Sequence, residues 1–154
     1  MEKGVKYIWH PFCHIENLKF HQVYGFCMSM NNKFLLVRDW NEIRFTLPGG
    51  RVEEGELPQE AFIREIREEA QVEISNIKFL GSLEVLCTSQ NGVILDHHQQ
   101  AKYFADVEKI DSFIPRFAES EIEERKEVDM NALARYIDWL NYTSGRQIFK
   151  SLKE

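Results

Sequence analysis

The sequence predicts an α/β protein in which a mixed β-sheet is sandwiched between helices. Three patterns support this class: an amphipathic helix over residues 57–70, the hairpin dipeptide Asn91-Gly92 between extended segments, and apolar residues at helical spacing after Met130. Such helices and strands pack in layers around one hydrophobic core. With 154 residues, the chain is long enough to bury such a core, and the predicted domain is residues 1–154.

The region before the central helix is predicted to be mostly extended. Residues 1–20 form an N-terminal extension or an extra strand, which Pro11 interrupts. Residues 22–30 and 34–38 are predicted strands on either side of a turn, and residues 43–47 form a further short strand. A proline and two glycines then end that strand and begin a loop.

The central helix buries one face and is followed by a second group of strands. Pro58 suits its first turn, and an apolar stripe runs along one side. Residues 72–74 and 78–88 are predicted to be extended, and residues 98–107 return as the second strand of the hairpin. After an irregular stretch, a C-terminal helix is predicted over residues 130–153, with an apolar stripe of Leu133, Tyr136, Ile137 and Leu140.

Three glutamates, Glu65, Glu68 and Glu69, lie beside the apolar stripe of the central helix. Spacings of three and four residues place all of them on one helical face. Carboxylates this close repel one another, and each like-charge pair costs a helix on the order of a few tenths of a kcal/mol. Mg²⁺ neutralises such a cluster, and it retains waters for a phosphate-bearing substrate. The pattern therefore indicates a Mg²⁺ site, with a solvated acidic face as the alternative.

The glutamates belong to a longer motif, GRVEEGELPQEAFIREIREEAQV, at residues 50–72. This motif closely resembles the Nudix box, G-x5-E-x7-R-E-U-x-E-E-x-G-U, in which U is a bulky aliphatic residue. Every fixed position matches except one, where Gln71 stands in place of the late glycine. The resemblance implies the Nudix fold, an α/β/α sandwich with a mixed β-sheet.

The exception at Gln71 bears on how the central helix ends. A glycine just past a helix commonly adopts the left-handed conformation that closes it. The same conformation costs a glutamine about 1 kcal/mol, unless the helix ends in another way. We therefore expect a departure from the family in the loop after the helix, and none at the carboxylates.

The resemblance implies a Mg²⁺-dependent hydrolase, with Mn²⁺ as an alternative ion. The implied substrate is a nucleoside diphosphate linked to another moiety, and water attacks its phosphoanhydride bond. A divalent ion suits this reaction because it polarises phosphoryl oxygens and lowers the pKa of a bound water. Residues 87–90 lack the proline and the tyrosine that mark two subfamilies, the ADP-ribose-cleaving and dinucleoside-polyphosphate-cleaving members. Their absence favours a nucleoside triphosphate or another substrate.

The resemblance also assigns roles along the motif. Glu65, Glu68 and Glu69 look like metal ligands and catalytic residues, with the carbonyl of Gly50 as a further ligand. Glu69 is favoured for direct ligation, whereas Glu65 either ligates the ion or acts as general base. Glycine suits position 50 because a backbone without a Cβ can approach a ligand closely. Arg64 looks like a catalytic residue that orients its neighbours.

Further carboxylates complete the predicted site. Glu56 looks like the orienting partner of Arg64. Members of the family often draw another ligand or base from a later loop, and Glu121 is favoured here, with solvated surface as the alternative. The other candidates in that loop, which leave the general base open, are Glu119, Glu123 and Glu124.

Contacts to the nucleotide itself have several candidates. Four aromatic residues could stack on a base or lie in the core: Trp40, Phe45, Tyr103 and Phe104. His97 and His98 are candidates for a phosphate contact, and the alternative is that they are polar residues at a strand start.

Composition argues against several other partners. The formal net charge is −6 and the chain has no run of lysine and arginine, so nucleic acid is not an expected partner. No stretch approaches about 18 continuous apolar residues, so no membrane association is expected. Cys13, Cys27 and Cys87 are typical of reduced thiols in a cytoplasmic protein, and the N-terminus lacks an apolar signal core. The alternative for this region is a zinc site formed by His10, Cys13, His14 and His21.

Two alternatives to an enzyme stay open. The first is a nucleotide-binding regulator with a Nudix fold that has lost catalysis, although such relatives usually lose the glutamate pair that this chain keeps. The second is a purely structural interaction domain. The resemblance is also compatible with a homodimer.

Overall fold

A computed structural model describes residues 4–153, so residues 1–3 and 154 of the predicted domain lie outside the described part. The chain forms these strands: β1 (Gly4–Pro11), β2 (Phe20–Met28), β3 (Phe34–Asp39), β4 (Gly49–Arg51), β5 (Val72–Thr88), β6 (Ile94–Ile110) and β7 (Ile122–Val128). Its α-helices are α1 (Pro58–Glu69), α2 (Leu133–Tyr136) and α3 (Thr143–Lys153). Short 3₁₀ turns lie at Phe117–Glu119, Met130–Ala132 and Asp138–Asn141.

All strands join one mixed sheet, as predicted. Their order is β1-β5-β6-β2-β3-β7, and the short β4 pairs with β2 at the side of the path. β2 and β6 run parallel, whereas the other pairs are antiparallel. Since β1 and β7 are the outer strands of this order, β2 and β6 lie near the middle of the sheet.

The long hairpin of β5 and β6 confirms the hairpin prediction. In its turn the Ser89 N–H donates to the Val93 carbonyl at 2.8 Å, and Gly92 has a φ of +80°, which a glycine adopts without strain. The two segments predicted separately over residues 72–74 and 78–88 are one strand with irregular register. The return strand is also longer than predicted.

The sheet separates two hydrophobic cores, which gives the predicted α/β/α sandwich. On one face, Phe62 and Ile66 of α1 belong to a core with Val23, Ala101 and Tyr103 of the sheet. On the other face, residues of the C-terminal helices pack against the sheet in a second core that includes Trp9, Phe26, Leu80, Ile137 and Ile148.

Gln71 adopts the left-handed conformation of the glycine that it replaces, with a φ of +58°. Its backbone N–H donates to the Ile66 carbonyl at 3.2 Å and closes α1. Its side chain also binds Ile114 twice, because Nε2 donates to the carbonyl at 2.8 Å and Oε1 accepts from the N–H at 3.0 Å. Two hydrogen bonds therefore offset the strained backbone, and they join the end of α1 to the loop before β7.

The strand predicted over residues 43–47 is wrong. Thr46 pairs with β3 only in an isolated bridge. Arg38 Nη1 donates to the Glu42 carbonyl at 2.9 Å and holds a tight turn, and Ile43 is 92% exposed. Phe45 and Leu47 pack into the core, but the segment makes no strand pairing beyond this bridge. The next strand forms at the glycines instead, where β4 pairs with β2.

The loop that was predicted to hold the late glutamates is shorter than expected. Residues 122–124 begin β7, an outer strand in which only Ile122 and Val128 are fully buried. Charged side chains cover the positions between them, as is common on outer strands. These charges hide the apolar alternation by which a strand is predicted.

The continuous helix predicted over residues 130–153 is also wrong. Ile137 is extended, with φ −115° and ψ 96°, and a 3₁₀ turn separates α2 from α3. The 3₁₀ turn packs closely against α3 at Gly145, where a Cβ would clash with the Trp139 carbonyl. The predicted apolar stripe is still buried at Leu133, Ile137 and Leu140.

Within residues 4–153, none of the helices has the length and apolarity needed to cross a bilayer.

Candidate active site

The acidic cluster of α1, which we define as Glu65, Glu68 and Glu69, faces β4. Gly50 lies directly against Glu65, since a Cβ added to Gly50 would be 2.6 Å from both carboxylate oxygens. The position therefore leaves no room for a side chain. The glycine of the motif is explained by this close approach of backbone and carboxylate.

Glu69 is held at the end of the cluster nearest Gly49. Its Oε1 accepts a hydrogen bond from the Gly49 N–H at 3.0 Å. Burial is the main cause that raises the pKa of Glu69 to about 8, and the charges of Glu65, Asp39 and Glu68 act in the same direction. A cation beside Glu69 would favour its charged form and relieve this repulsion.

Arg64 binds several groups around the cluster. Its Nε and Nη2 donate to the two oxygens of Glu56 at 2.8 and 2.9 Å, and Nη2 also donates to the Arg51 carbonyl at 2.9 Å. Its Nη1 donates to Glu65 at 2.9 Å and to Glu68 at 3.3 Å. The Arg64 hydrogen bonds are the main cause that lowers the pKa of Glu56 to about 2. The guanidinium is thereby fixed between Glu56 and the cluster.

A cavity of about 510 Å³, which we call the acidic cavity, adjoins the cluster. Glu121 lines it together with Asp39, a carboxylate that was not predicted. Burial is the main cause that raises the pKa of Asp39, and the charge of Glu121 comes next. The walls of the acidic cavity also include Glu65, Arg67, Glu68, Glu69, Phe117, Ala118, Glu119 and Ser120.

Two of the other late glutamates point to different partners. Glu123 accepts from Arg116 Nε at 3.1 Å, and Glu124 accepts from Arg38 Nε at 3.4 Å. Neither lines the acidic cavity. Both lie on β7, so their side chains are placed by the strand and not by a flexible loop.

The residues around the acidic cavity fit a hard divalent cation. The donors that line it are carboxylate oxygens, which are the ligands that Mg²⁺ and Mn²⁺ prefer. Gly50, whose carbonyl is a predicted ligand, does not line this cavity. Gly50 lets the backbone lie directly against the Glu65 carboxylate, because a Cβ at this position would clash with it. Burial, and next to it the charges of the neighbouring carboxylates, raise the pKa values of Glu65 and Glu69, and a bound cation would stabilise their charged forms.

A second cavity, of about 880 Å³, lies between the sheet and the C-terminal helices, and we call it the large cavity. It shares Asp39 and Glu69 with the acidic cavity, so the two spaces adjoin. Its other walls come from β2, β6 and the segment around α3. They include five polar or aromatic residues that were not predicted: Gln22, Tyr24, Gln100, Lys102 and Trp139.

The four aromatic residues predicted to stack on a base lie elsewhere. Tyr103 is buried in the core below α1, where its ring stacks on Phe62 at 4.8 Å. Phe45 and Phe104 pack into the opposite core. Trp40 is exposed and lines neither cavity. Three of the four thus pack in the core, which was the alternative to stacking on a base. The rings of Tyr24 and Trp139 line the large cavity instead.

The two histidines predicted to meet a phosphate line neither cavity. His97 Nε2 lies 2.8 Å from Glu84 Oε2, and His98 Nδ1 lies 2.9 Å from Asp96 Oδ2. His21 packs against His98 with ring centroids 4.7 Å apart.

The histidine-rich region forms a different group from the predicted zinc site. Within residues 4–153, the ligand atoms of His21, Asp96 and His98 lie within 4.8 Å of one another. Of the predicted set, only His21 takes part. His10 instead pairs through Nε2 with Glu84 Oε1 at 2.8 Å. Among the described residues, the three carboxylates of α1 do not form a group with this spacing.

Comparison with known proteins agrees with this geometry. The model of the NUDIX domain family matches residues 19–148. A relative from Bacillus subtilis (strain 168), named "Putative 8-oxo-dGTP diphosphatase YtkD", is 34% identical over 76 residues. That match covers 49% of this chain and 44% of the relative, so it spans less than half of either protein.

Solved structures share the fold over most of the chain. The Bacillus subtilis pyrophosphohydrolase BsRppH has a TM-score of 0.70 at 21% identity, covering 97% of this chain and 89% of that one. A NUDIX hydrolase from Nitrosomonas europaea has a TM-score of 0.65 at 19% identity, covering 88% and 89%. Because the family model spans most of the sequence and the architecture agrees, this chain belongs to the NUDIX domain family.

Proposed function

We propose that this protein hydrolyses a phosphoanhydride bond in a nucleoside diphosphate derivative, with a nucleoside triphosphate as the first candidate. Mg²⁺ is the proposed ion and Mn²⁺ the alternative. One observation carries the proposal: Asp39 and Glu69 line both the large cavity and the acidic cavity. A nucleotide in the large cavity would therefore direct its phosphates toward the acidic cluster.

The large cavity suits the nucleoside end of such a substrate. Its volume of about 880 Å³ falls in the range of small-molecule sites, roughly 300–1,000 Å³. Tyr24 and Trp139 offer aromatic surface for a planar base. Gln22, Gln100 and Lys102 supply the few polar groups that fix orientation in a site of this kind.

The acidic cluster suits the phosphate end. We assign Glu65, Glu68, Glu69 and the Gly50 carbonyl as the groups that hold the ion, with Glu121 as a further ligand or base. When bound, a divalent ion polarises phosphoryl oxygens and lowers the pKa of a bound water. Nudix hydrolases generally use divalent metal ions, which agrees with this assignment.

Arg64 and Glu56 act as positioning residues in this proposal. In-line attack on a phosphorus atom depends mostly on placement and electrostatics. The two-point contact with Glu56 fixes the guanidinium, whose Nη1 then holds the Glu65 carboxylate at 2.9 Å. Burial raises the pKa of Glu65, which brings this carboxylate closer to the pH at which a general base is efficient.

The names of similar proteins support the same reaction class. YtkD carries the name of an 8-oxo-dGTP diphosphatase, and BsRppH that of a pyrophosphohydrolase. We extend this to the present chain as a proposal: hydrolysis of a nucleoside triphosphate, in its ordinary or its oxidised form.

A substrate panel tests the proposal. Purified protein is incubated with ordinary and oxidised nucleoside triphosphates, nucleoside diphosphate sugars and ADP-ribose, with Mg²⁺, with Mn²⁺ or with EDTA. Chromatography identifies the products. We expect ion-dependent release of a nucleoside monophosphate and pyrophosphate from a triphosphate. If no nucleotide is cleaved with either ion in excess, the proposal fails.

A further inference from the structure

Lys102 is a buried lysine for which the hydrolytic chemistry has no use. It is 4% exposed and its side chain lines the large cavity. Within residues 4–153, no carboxylate lies within ion-pair distance of its Nζ, which donates to Gln100 Oε1 at 3.1 Å. Lysine is almost never fully buried without a charged partner. A buried ammonium that faces a cavity therefore calls for a ligand that completes its hydrogen bonds.

The surroundings of Lys102 form a short row of polar groups between aromatic rings. Gln100 Nε2 donates to Gln22 Oε1 at 3.0 Å, so the row runs from β6 to the neighbouring β2. Nζ lies 4.6 Å from the centroid of the Tyr24 ring and 5.2 Å from that of Trp139. Lys102 uses one of three donors in this row, and the terminal amide of Gln22 keeps its own N–H groups.

The row is therefore rich in donors at the inner wall of the large cavity. A purine with a 6-oxo group presents two acceptors on one edge, O6 and N7, and lysine is among the side chains that read this pair. Adenine presents N7 beside the N6 amino group, which is a donor. An ammonium opposite that amino group gains no hydrogen bond and leaves its own donor unpaired.

We propose that Lys102, together with Gln22 and Gln100, forms a base-recognition site that selects 6-oxopurine nucleotides over adenine nucleotides. This inference rests on the proposed function, because it names the base of the nucleotide that the large cavity binds. Lys102 is a specificity-determining residue in it and takes no part in the chemistry.

The position of Lys102 separates it from the phosphates. Tyr24 pairs with Gly49 on one side and with Lys102 on the other, so β2 lies between the lysine and the backbone N–H that holds Glu69. Two strand spacings correspond to about 10 Å. This separation suits a base at Lys102 and phosphates at the acidic cluster.

Binding of nucleoside monophosphates without metal tests the inference apart from catalysis. Calorimetry compares guanosine, inosine and adenosine 5′-monophosphates, which carry the same phosphate. We expect the guanosine and inosine compounds to bind with similar affinity, and roughly 10- to 100-fold more tightly than the adenosine compound. Equal binding of all three, or preference for guanosine over inosine, would overturn the inference.

Two variants assign this preference to the lysine. Lys102→Met keeps the length of the side chain and removes its donors, so affinity for the 6-oxopurines should fall to that of adenosine monophosphate, which itself should change little. An equal loss for all three ligands would show that Lys102 serves the phosphate or the fold. Lys102→Arg restores a donor and should recover part of the preference.

Lys126→Met is the matched control. Lys126 also lies near two aromatic rings, those of Phe45 and Tyr136, but it does not line the large cavity. The Lys126→Met variant should keep the full preference for 6-oxopurine nucleotides, and thermal melting checks that each variant is folded.

The two proposals can fail separately. If the preference persists while no nucleotide is hydrolysed, the proposed function is wrong and the recognition site stands. If nucleotides are hydrolysed without a base preference, the proposed recognition site is wrong and the proposed function stands.

Discussion

Glu69 combines three properties that make it the most sensitive residue of the proposed ion site. It is largely enclosed, it accepts a hydrogen bond from Gly49, and it lines both cavities. Its raised pKa reports how unfavourable a bare negative charge is at this position. A cation is the group that would make that charge favourable.

Replacing Glu69 by glutamine should therefore abolish activity without harming the fold. Glutamine has the same shape and keeps an oxygen to accept from the Gly49 N–H, but it lacks the charge that holds an ion. We expect Glu69→Gln to lower turnover by orders of magnitude, measured at saturating Mg²⁺. Glu54→Gln removes an exposed charge next to the motif and should be nearly silent. Unchanged turnover of Glu69→Gln would place the ion elsewhere.

The buried Lys102 should make the free energy of unfolding depend on pH. Burial lowers the pKa of Lys102 from 10.5 to about 7. Below about pH 7 both the native and the unfolded state hold the proton, so the native state carries the full cost of a buried charge. Between about pH 7 and 10.5 the unfolded state holds a proton that the native state has released, and stability rises with pH.

Lys102→Met removes this dependence. The variant should be more stable than the wild type at about pH 6, and the difference in the free energy of unfolding should shrink as pH rises from about 7 to 10. Urea unfolding at about pH 6, 8 and 9.5 measures it. A difference that stays constant over this range would contradict the lowered pKa.

At the scale of elements, Gln71 joins the end of α1 to the loop before β7. Gln71→Ala keeps a strained left-handed backbone and loses both hydrogen bonds to Ile114, so it should lower the free energy of unfolding by about 1–3 kcal/mol. Gln71→Gly loses the same bonds but removes the strain, and its stability should stay within about 1 kcal/mol of the wild type. Urea denaturation of both variants measures the difference. Equal effects of alanine and glycine would contradict a strained backbone at Gln71.

Helices and strands that follow from a short sequence pattern could be predicted from the sequence. α1 has its apolar stripe, and the hairpin of β5 and β6 has Asn91-Gly92. β7 could not be predicted, because its fully buried residues are separated by charged ones. The break before α3 places Gly145 against Trp139, and this is a tertiary contact that local sequence patterns do not reveal.

The same distinction applies to the candidate site. The acidic cluster was predictable because three glutamates at helical spacing must share a face. The walls of the large cavity were not, since Tyr24, Lys102 and Trp139 meet through sheet pairing and helix packing across more than a hundred residues. Tyr103 and Phe104 were misleading because neighbours on a strand point to opposite faces, and each packs into a different core. Trp40 and Phe45 lie outside the strands.

At the scale of the whole molecule, ion binding should be visible as a gain in stability. An ion that binds only the native state stabilises it by mass action, by about 2.7 kcal/mol at a hundred times Kd. For a chain of this size we expect Mg²⁺ to raise the melting temperature by about 5–10 °C at that concentration. Glu69→Gln should lose most of the rise. Zn²⁺ is a poor probe for this test, because His21, Asp96 and His98 offer it ligands of their own.

The pairing of β4, β2 and β6 has a consequence for where the substrate is cut. Gly49, Tyr24 and Lys102 are neighbours on three adjacent strands, so their separation is set by the backbone and changes little with side-chain motion. The sheet would then act as a ruler, with the nucleoside at one end and the reacting phosphorus at the other. Tri- and tetraphosphates of one nucleoside should yield the same nucleoside monophosphate, and the extra phosphate should leave with the released fragment. Chromatography of the two digests would show whether the length is counted from the nucleoside.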